Sequence, residues 1–226
     1  MTLRIAAFEA GARAATGAVV IIDVFRAFTT AAVALSRGAE RIVMVGTAEE
    51  AFALRASGQA ARAMGERGGI AIEGFDHGNS PAEIASERFD GETLVQTTSN
   101  GTRGIVAAGG AERVYAGALV TAEATVTALA GAPEITLVAM GEGTDAAPVP
   151  TIEDALCVHW LAARLAGRRP EPAALTAAIL SLSPRTDGVA LSDADVDACL
   201  ALDSVPFAIR VSREDGLLVA RAEPPA

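Results

Sequence analysis

The segment Val19–Val24 (VVIIDV) constrains the fold more than any other part of the chain. It is β-branched and continuously apolar except for Asp23, and Gly17 precedes it. A run of that kind, continuous rather than alternating, marks a strand covered on both faces. Weaker versions recur at Arg41–Val45, Gly69–Glu73, Thr93–Thr98, Glu112–Ala116 and Glu134–Met140. Helical patterns lie between them, at Ala27–Arg37, Thr47–Met64, Pro81–Arg88, Thr102–Ala108 and Thr121–Ala130. Strand and helix alternating at this spacing predict right-handed crossovers on a mostly parallel sheet, with helices on both faces. The fold class is α/β.

Further along, a helix is expected from Ile152 to about Ala166, with Thr151 as N-cap and Asp154 completing a loose capping box. Two more are expected at Ala173–Leu182 and Ser192–Leu202, and Val205–Val211 and Leu217–Arg221 read as a terminal hairpin around Asp215-Gly216. Gly141–Pro150 (GEGTDAAPVP) reads as a loop by composition. No repeat or low-complexity linker divides the 226 residues, which points to one domain over residues 1–226.

Composition narrows the chemistry. About fifty residues are alanine and only 4% are aromatic, so the core must be closely packed Ala, Val, Leu and Ile. All 18 basic residues are arginine, which excludes a Schiff-base lysine and the lysine of a phosphate-binding P-loop. A net charge of −10 without a basic run argues against nucleic acid as a partner. The longest uncharged stretch, Pro172 to Pro184, is thirteen residues, too short to span a bilayer. Arg4 and Glu9 interrupt any signal-peptide core, and Cys157 and Cys199 form no metal-binding or disulfide pattern, so a cytoplasmic protein is expected.

Four loops could carry chemistry, because ligands of parallel sheets gather beyond the carboxyl ends of the strands. Asp23-Val24-Phe25-Arg26 places an acid at the end of the most buried strand; a structural Asp23–Arg26 pair or a bound cation would each offset its burial. Met64–Pro81 carries Glu66, Glu73 and Asp76 among many glycines, then Asn79-Ser80-Pro81, a good helix start. Thr97–Gly104 (TTSNGTRG) ends a strand in hydroxyls and enters a helix with an arginine near its first turn, a recipe for anion binding or simply a capped turn. Gly141–Gly143 with Glu153-Asp154 adds acids that could serve a site or complement a helix dipole. An anion cradle facing carboxylate-rich loops suits a phosphate ester beside a hard cation such as Mg²⁺, hence a phosphatase. Known phosphatase signatures are missing: there is no Cys-x5-Arg loop, no Asp-x-Asp (position 25 is Phe) and no Arg-His-Gly.

The segments IIDVFRAFTT (21–30), GERGGIAIEGFDHGNSP (65–81), TTSNGTRGI (97–105) and IEDALC (152–157) resemble the 2-phosphosulfolactate phosphatase (ComB) family, in order and over nearly the whole chain, more weakly from about residue 168 through DVDACLALDSVPF (195–207). The resemblance implies a three-layer α/β/α fold and Mg²⁺-assisted hydrolysis of a phosphomonoester on a small acidic 2-hydroxy acid. It implies metal ligation by Asp23, Glu66 and Asp76. It also implies substrate contacts from Arg26, Asn79, Ser80, Thr98, Asn100, Gly101, Thr102 and Arg103, with Asp23, Arg26, Glu66 and Asp154 as the catalytic group. Whether water or a carboxylate attacks phosphorus stays open. Two departures lie near the pocket: Phe28 where the family has a hydroxyl residue, and the longer 141–150 loop. The altered loop leaves a second reading, a non-catalytic sensor of a phosphorylated or sulfonated metabolite. Ala-rich faces permit a homodimer.

Overall fold

The computed structural model describes residues 1–144, 146–183 and 191–225. Its elements run β1 (Thr2–Ala7), α1 (Phe8–Ala14), β2 (Ala18–Ile22), α2 (Ala27–Ser36), β3 (Arg41–Met44), α3 (Ala48–Ala56), β4 (Arg62–Arg67) and β5 (Ile70–Ala71). They continue as β6 (Thr93–Thr97), α4 (Gly101–Ala107), β7 (Arg113–Gly117), α5 (Ala122–Ala128), β8 (Glu134–Ala139), β9 (Glu142–Thr144) and β10 (Ala147–Val149). The last are α6 (Ile152–Leu165), α7 (Pro172–Leu182), α8 (Asp193–Leu200), β11 (Ala208–Glu214) and β12 (Leu217–Glu223).

Among the described residues, ten strands form one mixed sheet in the order β1-β8-β2-β7-β11-β12-β3-β6-β4-β5. β2, with every residue buried, lies between two parallel neighbours, as its continuous apolar run requires. The terminal hairpin turns at Asp215-Gly216, both at positive φ, and inserts antiparallel between β7 and β3. It splits the sheet into two parallel groups, β1-β8-β2-β7 and β3-β6-β4.

Alternation along the strands sorts the helices into outer layers. Val19 and Ile21 face a core shared with α2, while Val20 and Ile22 face α6 and α7. In the second group, Ile42 and Met44 join the α2 core, and Val43 and Val95 pack with Ala51 and Leu54 of α3. This is the three-layer arrangement. Gly104 lets α4 lie against β2: a Cβ there would sit 2.7 Å from the Ile21 Cγ2.

The two parallel groups run in opposite directions, which on a flat sheet would place the ends of β2 and β6 on opposite rims. Five strand steps separate them. At about 20–25° of twist per step the strands become crossed instead of opposed. Their carboxyl ends then meet over α2, where the Gln96 Nε2 donates to the Ala27 carbonyl at 2.9 Å.

Several local expectations are corrected. The helix expected over Thr47–Met64 stops at Ala56, and β4 begins at Arg62 and hydrogen-bonds to β6 through Ala63, Met64 and their neighbours. Strand pairing outweighs the helical propensity of an alanine-rich run. Pro81–Arg88 holds only a 3₁₀ turn, Glu83–Ser86, and the supposed 141–150 loop forms the β9–β10 hairpin. Asp145 and residues 184–190 of the sequence reading lie outside the described residues. β1 and α1 had no counterpart in the sequence reading. No described helix is long and apolar enough to cross a membrane.

Candidate active site

Asp23 follows the last residue of β2. Its amide donates to the Gly117 carbonyl at 3.2 Å, and its carboxylate accepts from the Ala27 amide at 3.1 Å, which draws the chain into α2. The first turn of α4 lies directly against it. A Cβ on Gly101 would stand 2.7 Å from the Asp23 Oδ2 and 2.9 Å from the Ala27 Cβ, so the close approach requires glycine. The sequence places both features at strand ends; the twist of the sheet brings them together.

Three more carboxylates surround this point. Glu66, near the end of β4, accepts from the amides of Ser99 and Gly69, both at 2.6 Å, and from the Ser99 hydroxyl at 3.0 Å. It thereby ties the glycine turn after β4 to the turn after β6. Glu153 and Asp154 are both buried in the first turn of α6. Asp154 accepts from the amides of Val24 (2.8 Å) and Gly141 (2.9 Å), linking the ends of β2 and β8. That is a correction to the loose capping box: Asp154 turns away from its own helix end, and the Thr151 hydroxyl makes no capping bond.

Burial and neighbouring charge raise the pKa values of Asp23, Glu153 and Asp154. Asp23 is lifted from an ordinary 3.8 to about 7, chiefly by loss of solvent and then by the charges of Glu66 and Glu153, against the lowering effect of the Ala27 and Gly101 amides. Asp154 is pushed well up by burial and by Asp23 and Glu153; Glu153 is raised mainly by burial. Acids crowded this way mark a site that gains from a cation or from proton exchange.

Polar groups complete the rim. The Arg26 guanidinium, 12% exposed, donates to the Gly69 carbonyl at 3.3 Å and pairs with Asp195 of α8 at 3.5 Å. Its partner is therefore Asp195 rather than Asp23. Ser80 donates to Asp195 at 2.6 Å. The buried Asn79 leaves its Oδ1 without a hydrogen-bond partner among the described residues.

Not every residue named from the sequence joins this group. Asp76 accepts from Arg55 at 2.9 Å and from the Ala63 amide at 2.8 Å. Both oxygens are engaged at the level of Ala63, three residues before Glu66 and so about 10 Å back along β4. Thr98 and Thr102 bond one another reciprocally, with each hydroxyl taking the other's amide at 3.1 and 2.8 Å, and so shape the turn. Arg103 pairs with Glu9 of α1 at 2.8 Å. With Asn100, Met140 and Pro148 they line a shallow cleft beside the β9–β10 hairpin. Asp195 and Glu9 carry no local signal of their roles because their partners stand far off in sequence, Arg26 169 residues from Asp195 and Arg103 beyond β6 from Glu9; the local trace is Ser192, which caps α8 by accepting from the Asp195 amide at 3.0 Å.

Fold and site together define an α/β protein whose strand ends gather buried carboxylates, an arginine and oriented backbone amides around one point. A family model described as 2-phosphosulpholactate phosphatase matches residues 7–194, and the chain belongs to that family. A relative from Prochlorococcus marinus, named "Probable 2-phosphosulfolactate phosphatase", is 34% identical over 229 residues, covering 90% of this chain and 92% of its own. One of the same name from Carboxydothermus hydrogenoformans is 42% identical over 128 residues, 57% of this chain and 52% of its own, so that match spans about half of that relative. A third, from Synechocystis, is 35% identical over 148 residues, 65% of this chain and 61% of its own.

Proposed function

We propose that the protein is a phosphatase acting on a small acidic phosphomonoester, with 2-phosphosulfolactate as the compound it hydrolyses and Mg²⁺ as its cofactor. The observation that carries this reading is the contact of Asp23 with the Gly101 turn, which sets an acid cluster beside backbone amides and Arg26 at one rim. The products would be 3-sulfolactate and inorganic phosphate.

The donor set suits a hard cation. Mg²⁺ commonly takes one or two carboxylates, with waters and phosphate oxygens filling the remaining positions. Glu66 and Asp154 each tie two backbone segments together through both oxygens, whereas Asp23, which accepts from the Ala27 and Gly101 amides, and Glu153, which accepts from the Ser183 hydroxyl, carry buried charge that a cation would relieve. Those two would hold it, and Asp76 would not. When bound, the ion would neutralise charge on the phosphoryl group.

The chain's own residues supply the rest. Arg26 and the Asn100 amide would face the equatorial oxygens as negative charge builds on them. The unpartnered Asn79 Oδ1 would accept a hydrogen bond from the attacking water. Asp23, ionised where it holds the cation, would orient that water for attack; its pKa of about 7 belongs to the metal-free protein.

Steady-state phosphate release from 2-phosphosulfolactate and from p-nitrophenyl phosphate tests the reading. Turnover should require Mg²⁺, and Asp23→Asn should lower it by at least about 100-fold, the scale of losing a key electrostatic group. Activity that survives both EDTA and Asp23→Asn refutes the mechanism. Thermal stabilisation by these esters without any turnover would instead identify a sensor.

A further inference from the structure

The family match ends at residue 194, and the most connected buried acid outside the Asp23 cluster is the next residue. Asp195 is 3% exposed. One of its oxygens accepts from the Ser80 hydroxyl at 2.6 Å and the Ala82 amide at 3.1 Å; the other meets the Arg26 guanidinium at 3.5 Å. Its own amide is held by the Ser192 cap. A single carboxylate thus joins three segments far apart in sequence: the turn after β2, the Asn79–Ala82 turn and α8.

We infer that Asp195 is a positioning residue for anion binding, acting through Arg26 and Ser80 instead of touching substrate. The geometry supports three points. First, among the described residues Arg26 donates to the Gly69 carbonyl and to Asp195, and of these Asp195 is the charged one. An arginine held on one side by a buried carboxylate presents its remaining N–H groups in a set direction. Second, the Ser80 and Ala82 bonds fix the turn that carries Asn79, whose unpartnered oxygen belongs to the same rim. Third, the N-cap of α8 locks Asp195 itself. The C-terminal segment therefore completes a site whose other residues lie between Asp23 and Asp154.

The inference rests on the phosphatase reading, and the experiment separates the two. Binding of inorganic phosphate is measured by calorimetry beside kcat and KM for 2-phosphosulfolactate, in the wild type and in Asp195→Asn. The asparagine keeps an acceptor for Ser80 and Ala82 but removes the charge facing Arg26. The phosphate dissociation constant should rise about 10- to 100-fold, the scale of one lost hydrogen bond to a charged group, and kcat/KM should fall by at least as much, because Arg26 faces the phosphoryl oxygens in both the bound ester and its transition state. In an Arg26→Ala background, Asp195→Asn should add less than about 2-fold, because the two act as a unit. Asp195→Glu, which keeps the charge, should recover part of the loss and serves as the test variant if Asp195→Asn does not fold.

A lower melting temperature with kcat/KM and phosphate affinity unchanged overturns the inference, as does full additivity with Arg26→Ala. A wild type that neither binds phosphate nor turns over removes the phosphatase reading itself.

Discussion

Asp23→Asn should make the metal-free protein more stable relative to the wild type as pH rises, even as it abolishes activity. The carboxyl has a pKa of about 7 in the fold against an ordinary 3.8. Between those values the native state holds a proton that the unfolded chain has released. The native state then binds more protons, so stability falls as pH rises through this window and levels off above about pH 7. From pH 5 to pH 8 the native carboxyl crosses about two pH units before it ionises, which at 1.36 kcal/mol per unit costs about 2.7 kcal/mol. Asparagine cannot ionise and escapes that cost. Its amide group would face the Gly101 N–H with a donor in place of an acceptor, at a cost of about 1–3 kcal/mol, but that cost is the same at both pH values and cancels from the comparison. For a chain of this length, 1 kcal/mol moves the melting temperature by about 2–4 °C. The difference in melting temperature, variant minus wild type, should therefore grow by roughly 5–10 °C from pH 5 to pH 8 in EDTA. Paired thermal scans by circular dichroism measure it. A difference that stays flat or shrinks with pH would show that Asp23 ionises freely in the fold, and the crowding of acids would then be no reason to bind a cation.

Two further outcomes follow from the geometry. Gly101→Ala should preserve the fold within about 1–3 kcal/mol, since overpacking is offset by better helix propensity. It should still cut phosphatase turnover at least about 10-fold, because its Cβ would displace the Asp23 carboxylate; unchanged turnover would mean that the contact does not matter. Asp76→Ala should lower the melting temperature through loss of the Arg55 pair and the Ala63 amide acceptor while leaving the Mg²⁺ concentration for half-maximal activity within about 2-fold. A large shift in that concentration would return Asp76 to the metal.

Much of this protein was legible in the chain because the relevant physics is local. VVIIDV is the strongest candidate for a strand covered on both faces, and its first four residues lie in β2 (Ala18–Ile22), with Asp23 just past its end. Asp215-Gly216 could only turn a hairpin sharply, and both residues sit at positive φ. The acids and the Thr97–Arg103 turn were recognisable as site material for the same reason: they stand at strand and helix ends, where side chains and amides lack local partners. Periodicity failed at residues 57–64, where an alanine-rich segment suits either a helix or a strand and only pairing with β6 decides.

Partnership was decided by the tertiary structure alone. Asp23, Asp76, Asp154 and Asp195 are indistinguishable as residue types. One ends against Gly101, one on Arg55, one across two strand ends and one beneath Arg26. What separates them is where a twisted sheet carries each strand end, a property of ten strands taken together. Composition can state that a carboxylate must find a donor or a cation once it is buried; only the path of the whole chain determines which one stands opposite.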